Sequence, residues 1–219
     1  MRMTTTSAKL LKLALPLIET HGFTREALSL SVLSLPSPTP LAHPLPDASV
    51  TALFGPGDDA RRTLVHAWLD DARCRMKEDS DSEAVLKVGD VLKARLRSNE
   101  PVLKYLPEAF ALLATSSPLL PADPIPIIKH AAQVSNQACW IAHSDARESS
   151  WYTRRASISA IYLAAELHQL TSPRTASAFL DSLLENAEHA EKALDETTLF
   201  TSYVWKSWRG IVKSSGVLL

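Results

Sequence analysis

Glycine is scarce in this chain, six residues in 219, and the alternation of β-branched and polar residues that marks strands is absent. An all-α fold is the reading that remains. Cysteine is scarcer still. Cys74 and Cys139 form no CxxC pattern and no disulfide framework, which fits a reducing compartment. No apolar run approaches the roughly 18 residues that a spanning helix needs. Neither sign of charge dominates: 23 Lys and Arg stand against 24 Asp and Glu, a net charge of −1. A general nucleic-acid binder would carry a basic excess. The chemistry-bearing motifs are missing as well. There is no HExxH zinc motif and no GxSxG nucleophile elbow, and none of the seven histidines follows a Glu by three residues, as the di-iron helix bundles require. Gly55-Pro-Gly57-Asp-Asp-Ala60 fits GxGxxA, but no predicted strand precedes it and Asp58 and Asp59 would repel a pyrophosphate. It reads as a turn entering a helix. Cys74, in Ala-Arg-Cys-Arg-Met, has a basic helical setting but is read as a passive, partly buried thiol.

What is present is apolar periodicity. At 46% hydrophobic and 21% charged residues, the chain can bury a sizeable core. A first helix, Lys9–Thr20, places Leu10, Leu13, Leu17 and Ile18 on one face, with Pro16 predicting a kink and Gly22 a C-cap. Thr24 caps a second helix, Arg25–Leu35. Five prolines between Pro36 and Pro46 exclude helix there. Asp47 or Ser49 caps a short helix ending at Phe54, and Asp58-Asp59 open a long helix through Lys77. The acidic stretch 78–83 is a candidate boundary. Further helices are expected over 83–97, 102–114, 125–143, 150–170 and 175–194, with a last amphipathic segment, 196–219. The resulting division is a degenerate helix-turn-helix-like part, 1–78, a larger helical part, 79–195, and the terminal segment.

The first three helices resemble the DNA-binding end of TetR-type repressors, whose third helix reads DNA. Here that helix, Asp47–Phe54, holds no cation, and no Lys or Arg occurs between Arg25 and Arg61. Phosphate contacts need cations, so the pattern predicts a repressor-like fold that is not used on DNA. A ligand-responsive TetR-type regulator is the alternative this weighs against. Residues 1–18 carry Arg2, Lys9 and Lys12 and no acid, as a mitochondrial presequence would, yet they run straight into the helix ending at Gly22. The first-helix reading is preferred.

Two further segments are informative. Trp151-Tyr-Thr-Arg-Arg155 opens a helix that then turns almost wholly apolar, although the helix dipole disfavours cations at that end by roughly 0.3–1 kcal/mol. At the C-terminus, Phe200, Val204, Trp205, Trp208, Ile211 and Val212 fall on one side of a helix, and Lys206, Arg209 and Lys213 on another. That suits a helix lying in a membrane interface. A terminal helix packed on the core or in a dimer fits the pattern equally.

The motif Trp151-Tyr152-Thr153-Arg154-Arg155-Ala156, with Ala160-Ile161-Tyr162 and Glu166-Leu167 after it, resembles the coenzyme Q (ubiquinone) biosynthesis accessory protein nine family. His21-Gly22-Phe23-Thr24 and Leu53-Phe54-Gly55 are similar too. The resemblance implies an all-α, TetR-like fold and a homodimer. It implies a non-enzymatic, lipid-binding role, with an apolar pocket for isoprenoid lipids and quinone precursors and no cofactor. It also implies partnership with the di-iron demethoxyubiquinone hydroxylase and other ubiquinone biosynthesis proteins, at the matrix side of the mitochondrial inner membrane. On that basis Trp151, Tyr152, Arg155 and Glu148 form a partner-docking patch, Ile158, Ile161, Tyr162 and Ala165 line the lipid pocket, and the terminal helix touches the bilayer. The loop Thr171–Thr175 is shorter than the family's and lacks its Asp-Ser.

Overall fold

The computed structural model describes residues 5–35, 43–78, 86–115, 122–142 and 150–190, and among these every regular element is a helix. The chain forms two compact units that divide between Asp71 and Ala72. The sequence reading placed its boundary after residue 78.

The first unit begins with α1 (Thr5–Ala14) and α2 (Ile18–His21), joined by a 3₁₀ turn over Leu15–Leu17. Pro16 causes that break, because its ring removes an N–H and crowds the preceding turn. α2 ends at Gly22, whose φ of 65° is costly for any residue with a Cβ. Thr24 then caps α3 (Arg25–Leu30), its Oγ1 accepting from Ala27 N at 3.3 Å. α4 (Asp47–Phe54) has the expected bounds but not the expected cap. The N-cap is Pro46, and neither Asp47 nor Ser49 caps the helix through its side chain. Asp47 instead accepts from Arg25 Nε and Nη2 at 2.8 and 2.6 Å. Arg25 also donates to Thr51 Oγ1 at 2.8 Å and Gly57 O at 3.1 Å, so one guanidinium ties α3 to α4 and to the turn after it. That turn leads into α5 (Asp58–Glu78), within which the division between the units falls. Phe23 meets Trp68 edge-on, ring centres 5.7 Å apart, over a core that includes Ile18, Leu28, Phe54 and Leu64.

The second unit contains α6 (Val88–Arg97), α7 (Leu106–Ala114), α8 (Ile125–Ile141), α9 (Ser150–Thr171) and α10 (Ala176–Ala190). α6 starts at Val88 rather than at residue 83, with Lys87 extended before it. Pro101 and Pro107 convert the expected helix over 102–114 into a 3₁₀ stretch, Glu100–Tyr105, followed by α7. α8 and α9 pack along one another, and α10 and α6 close on them. Gly89 marks a tight passage, since a Cβ there would lie 3.1 Å from Leu184 Cδ1 on α10. Ile127, Ala131, Val134 and Ala138 of α8 and Ala164 and Ala165 of α9 are buried where the two helices pack. A branched side chain such as Ile127 or Val134 contributes roughly 1.5–3 kcal/mol on burial.

Candidate functional site

Three arrangements meet on α9. The first lies at its N-terminal end, beside the C-terminal end of α8. Tyr152 is 77% exposed and Trp140 64%. Arg155, three residues after Tyr152, reaches across to α8: its guanidinium donates to Asn136 Oδ1 and stands over the Trp140 ring, 5.8 Å from its centre. Ser135 Oγ donates to Arg155 O at 3.4 Å. Exposed aromatics around an anchored arginine are the residue types of a binding hot spot. Trp140 was missed from the sequence. It sits within an apolar stretch, Ala138–Ala142, and the α8 periodicity that buries Ala138 and Cys139 turns position 140 outward. Glu148 and the side chain of Trp151 lie outside the described residues.

The second arrangement is a cleft of about 980 Å³ between the start of α6, α9 and α10. Ile158 and Ile161 form its wall on α9, with Leu86, Val88, Leu184 and Ala187 opposite. Its volume suits a small-molecule or single-chain ligand. Charged groups rim it: Lys87, Lys93 and Arg154 against Asp90, Asp181, Glu185 and Glu188. Lys93 Nζ spans from Asp90 Oδ1 at 3.3 Å to Asp181 Oδ1 at 3.2 Å, and those bonds, first to Asp181 and then to Asp90, raise its pKa. The lysine therefore stays charged and holds α6 to α10 across the cleft.

Of the four residues expected in a pocket, Ile158 and Ile161 line this cleft. Tyr162 and Ala165 do not. Both are fully buried, and Tyr162 belongs to the third arrangement, a polar cluster inside the helices that sequence reading did not find. Glu166, wholly buried, is its centre. Tyr162 Oη donates to Glu166 Oε1 at 2.7 Å, and Asn99 Nδ2 donates to the same oxygen at 3.1 Å. His130 Nε2 lies 3.3 Å from Glu166 Oε2. Asn99 Nδ2 also reaches Gln169 Oε1 at 3.1 Å, and Gln169 Nε2 donates to Leu96 O at 2.7 Å. Arg95, 1% exposed, donates to Asn99 Oδ1 and, at 2.9 Å, to Ser98 Oγ. Burial alone would push the Glu166 carboxyl up. The charge and hydrogen bond of His130, then Arg95 and the Tyr162 hydroxyl, outweigh it and lower the pKa to about 2. Burial, foremost, raises Tyr162 well above its ordinary value, so the phenol remains a donor. The cluster binds α6, α8 and α9 in one register, one turn from the cleft wall.

Elsewhere, Cys74 is exposed on α5 rather than partly buried, because it shares a helix face with Arg75 and Lys77, while burial raises the pKa of the Cys139 thiol. Among the described residues, no three His, Cys, Asp or Glu side chains converge as metal ligands, and no helix is long and apolar enough to cross a membrane. The terminal residues Phe200, Val204, Trp205, Lys206, Trp208, Arg209, Ile211, Val212 and Lys213 lie outside the described residues.

All three arrangements draw on α9, and the resemblance to known proteins includes it. A family model described as COQ9 matches residues 126–191. The chain is 26% identical over 135 residues to the ubiquinone biosynthesis protein coq9, mitochondrial, of Schizosaccharomyces pombe, covering 60% of this chain and 52% of that protein. It is 24% identical over 160 residues to the ubiquinone biosynthesis protein COQ9, mitochondrial, of Bos taurus, covering 73% of this chain and 49% of that one. The chain thus spans about half the length of the curated relatives it matches. The α9 wall of the cleft, the buried Glu166 and the exposed Tyr152 all lie in the segment that the COQ9 family model matches, and it is there that the chain is similar to COQ9 proteins.

Proposed function

We propose that this protein acts in mitochondrial ubiquinone biosynthesis as a non-enzymatic, lipid-binding accessory protein. The cleft beside α9 takes the isoprenoid chain of a quinone precursor, and the patch around Tyr152 docks the di-iron demethoxyubiquinone hydroxylase that acts on its ring. The observation that carries this reading is the placement of both features on one helix. Ile158 and Ile161 wall a cleft of about 980 Å³, and Tyr152, less than two turns before Ile158, stands 77% exposed. Trp151 is the patch's second anchor and Glu148 its acidic member.

The physical logic is solubility. A polyprenylated ring partitions almost wholly into the bilayer, since each buried CH₂ is worth about 0.8 kcal/mol. A hydroxylase working at the membrane surface gains from a carrier that holds the chain and presents the ring. The apolar, Trp-bearing side of residues 200–213, with the basic side next to it, supplies the membrane contact on the matrix side of the inner membrane. The TetR-like arrangement then serves as a scaffold, in a homodimer, without DNA.

Native mass spectrometry after incubation with quinone-loaded liposomes tests the reading, on the wild type and on a Trp151→Ala/Tyr152→Ala variant. Both proteins are expected to carry a prenylated quinone, and the variant alone to lose the hydroxylase in a pull-down. A wild-type protein that stays lipid-free would sink the carrier role and leave a docking scaffold.

A further inference from the structure

The run Thr153-Arg-Arg-Ala-Ser157-Ile158 has a property that neither the cleft nor the patch accounts for. Arginines stand three and two residues before a serine, and an aliphatic residue follows it. Serine kinases that select basic substrates read this pattern, with acidic subsites pairing the two guanidinium groups and an apolar pocket taking the next side chain. We propose that Ser157 is a phosphorylation site for such a kinase, and that a phosphate there closes the cleft to its ligand.

The geometry supports both parts. Ser157 is exposed and lines the cleft. Its hydroxyl makes no hydrogen bond with another described residue, whereas the hydroxyls of Ser135 and Ser182 donate to Ala132 O and Phe179 O at 3.1 and 2.8 Å. A kinase binds its substrate extended, so the start of α9 must open. Little opposes that. Tyr152, Thr153, Arg154, Ala156 and Ser157 are all exposed, and among the described side chains of α9 none that is apolar and buried comes before Ile158. The first turn holds no acidic residue, and the cations that follow it oppose the helix dipole. Helix ends in this condition open locally at low cost. Arg155 gives up Asn136 and Trp140 and gains the kinase's carboxylates.

In the transfer, Ser157 Oγ attacks the γ-phosphorus of ATP and the new O–P bond forms. The bond from that phosphorus to the β,γ-bridging oxygen breaks, the hydroxyl proton passes to the kinase's base, and ADP leaves. The product places about −1.5 to −2 charges beside the Ile158 wall. Arg154, one turn earlier, is the near cation able to pair with it. Lys93 is already held by Asp90 and Asp181, and Glu185 and Glu188 add to the repulsion on the opposite side. A hydrated dianion on the wall makes the cleft a poor place for an apolar chain.

The effect on binding rests on the lipid-carrier reading, and the modification itself does not. The full chain is incubated with ATP and the catalytic subunit of cyclic-AMP-dependent kinase, beside a peptide of residues 151–161 as the control for kinase activity. Phosphopeptide mapping is expected to show one phosphate per chain, at Ser157, and none at that position in Ser157→Ala. Loading from phosphatidylcholine vesicles carrying a polyprenylated quinone is expected to fall about tenfold on phosphorylation and in Ser157→Glu, while kinase treatment of Ser157→Ala is expected to leave that variant's own loading where it stood before treatment. A peptide that is phosphorylated while the folded chain is not overturns the site. Phosphorylated protein that loads lipid as well as the unmodified protein overturns the closing effect and leaves the carrier reading standing. Unmodified protein that loads no lipid refutes the carrier reading and the closing effect together, and the mapping still decides the site.

Discussion

Replacing Glu166 with Gln isolates the charge at the centre of the polar cluster. The buried carboxyl has its pKa lowered from 4.5 to about 2 by His130, Arg95 and Tyr162, acting against burial. A carboxyl depressed in the folded state contributes stability above its unfolded pKa and loses it as pH falls through the folded one. The window here is therefore about pH 4.5 down to pH 2. A difference of two and a half units corresponds to about 3 kcal/mol at pH 7, of which about 2 kcal/mol is gone by pH 3. Glu166→Gln keeps the shape and can still accept from Tyr162, but it leaves the buried Arg95 without a counter-charge. Breaking a buried charge network in this way typically costs about 3–5 kcal/mol. Urea denaturation followed by circular dichroism, at pH 7, 5 and 3, measures both proteins. The variant should be less stable at pH 7 by about 3 kcal/mol, and the gap should shrink to about 1 kcal/mol at pH 3. Other carboxylates titrate equally in the two proteins and cancel. A gap that is the same at all three pH values refutes the assignment of the charge to Glu166.

Three other outcomes are expected. Tyr152→Ala should leave stability within about 0.5 kcal/mol of wild type, since the side chain is 77% exposed, while weakening capture of the hydroxylase about tenfold or more in a pull-down. Gly55→Ala should destabilise by about 1–3 kcal/mol in thermal denaturation, because φ is 112° there and the new Cβ would lie 2.9 Å from Asp59 Cβ. Fluorescence anisotropy with random duplex DNA at low salt should show no binding: α4 has no cation, and Arg25 is taken up by Asp47, Thr51 and Gly57.

Local signals carried most of the fold. Pro16, Gly22, Thr24 and the Gly55–Gly57 turn act through their own backbone geometry, so the breaks between α1 and α4 were legible, although α1 starts at Thr5 rather than Lys9 and the helix expected over Arg25–Leu35 ends at Leu30 and runs on as a 3₁₀ turn, Ser31–Ser34; α9 followed from its long apolar period. Where two signals competed, the reading slipped. Pro101 and Pro107 overrode the apolar run that suggested one helix through residue 114, and Asp47, a good cap by type, was drawn away by Arg25. The candidate site was only half visible. Tyr152, Ile158 and Ile161 could be placed from the periodicity of α9 and the family motif. The cluster could not, because Asn99 and Glu166 are 67 residues apart and their pairing is decided by the packing of α6 against α9. A signal was nonetheless present. Tyr162, Glu166 and Gln169 recur at helical spacing on the buried face of an otherwise apolar stretch, and a polar residue at a core position requires a partner somewhere. Arg95 near the end of α6 and Asn99 just beyond it are that partner. The cleft shows the same limit, since two of its three walls come from α6 and α10, which contributed nothing to the motif.

The central claim is that the cleft walled by Ile158 and Ile161 holds a prenylated quinone, and photo-cross-linking tests it most directly. A diazirine-tagged polyprenyl quinone, delivered from vesicles to the full chain and irradiated, is followed by peptide mapping. The account predicts label on the α9 wall around Ile158 and Ile161 and on Leu184 of α10, with competition by untagged quinone. Label confined to other surfaces, or incorporation that untagged quinone does not reduce, would contradict it.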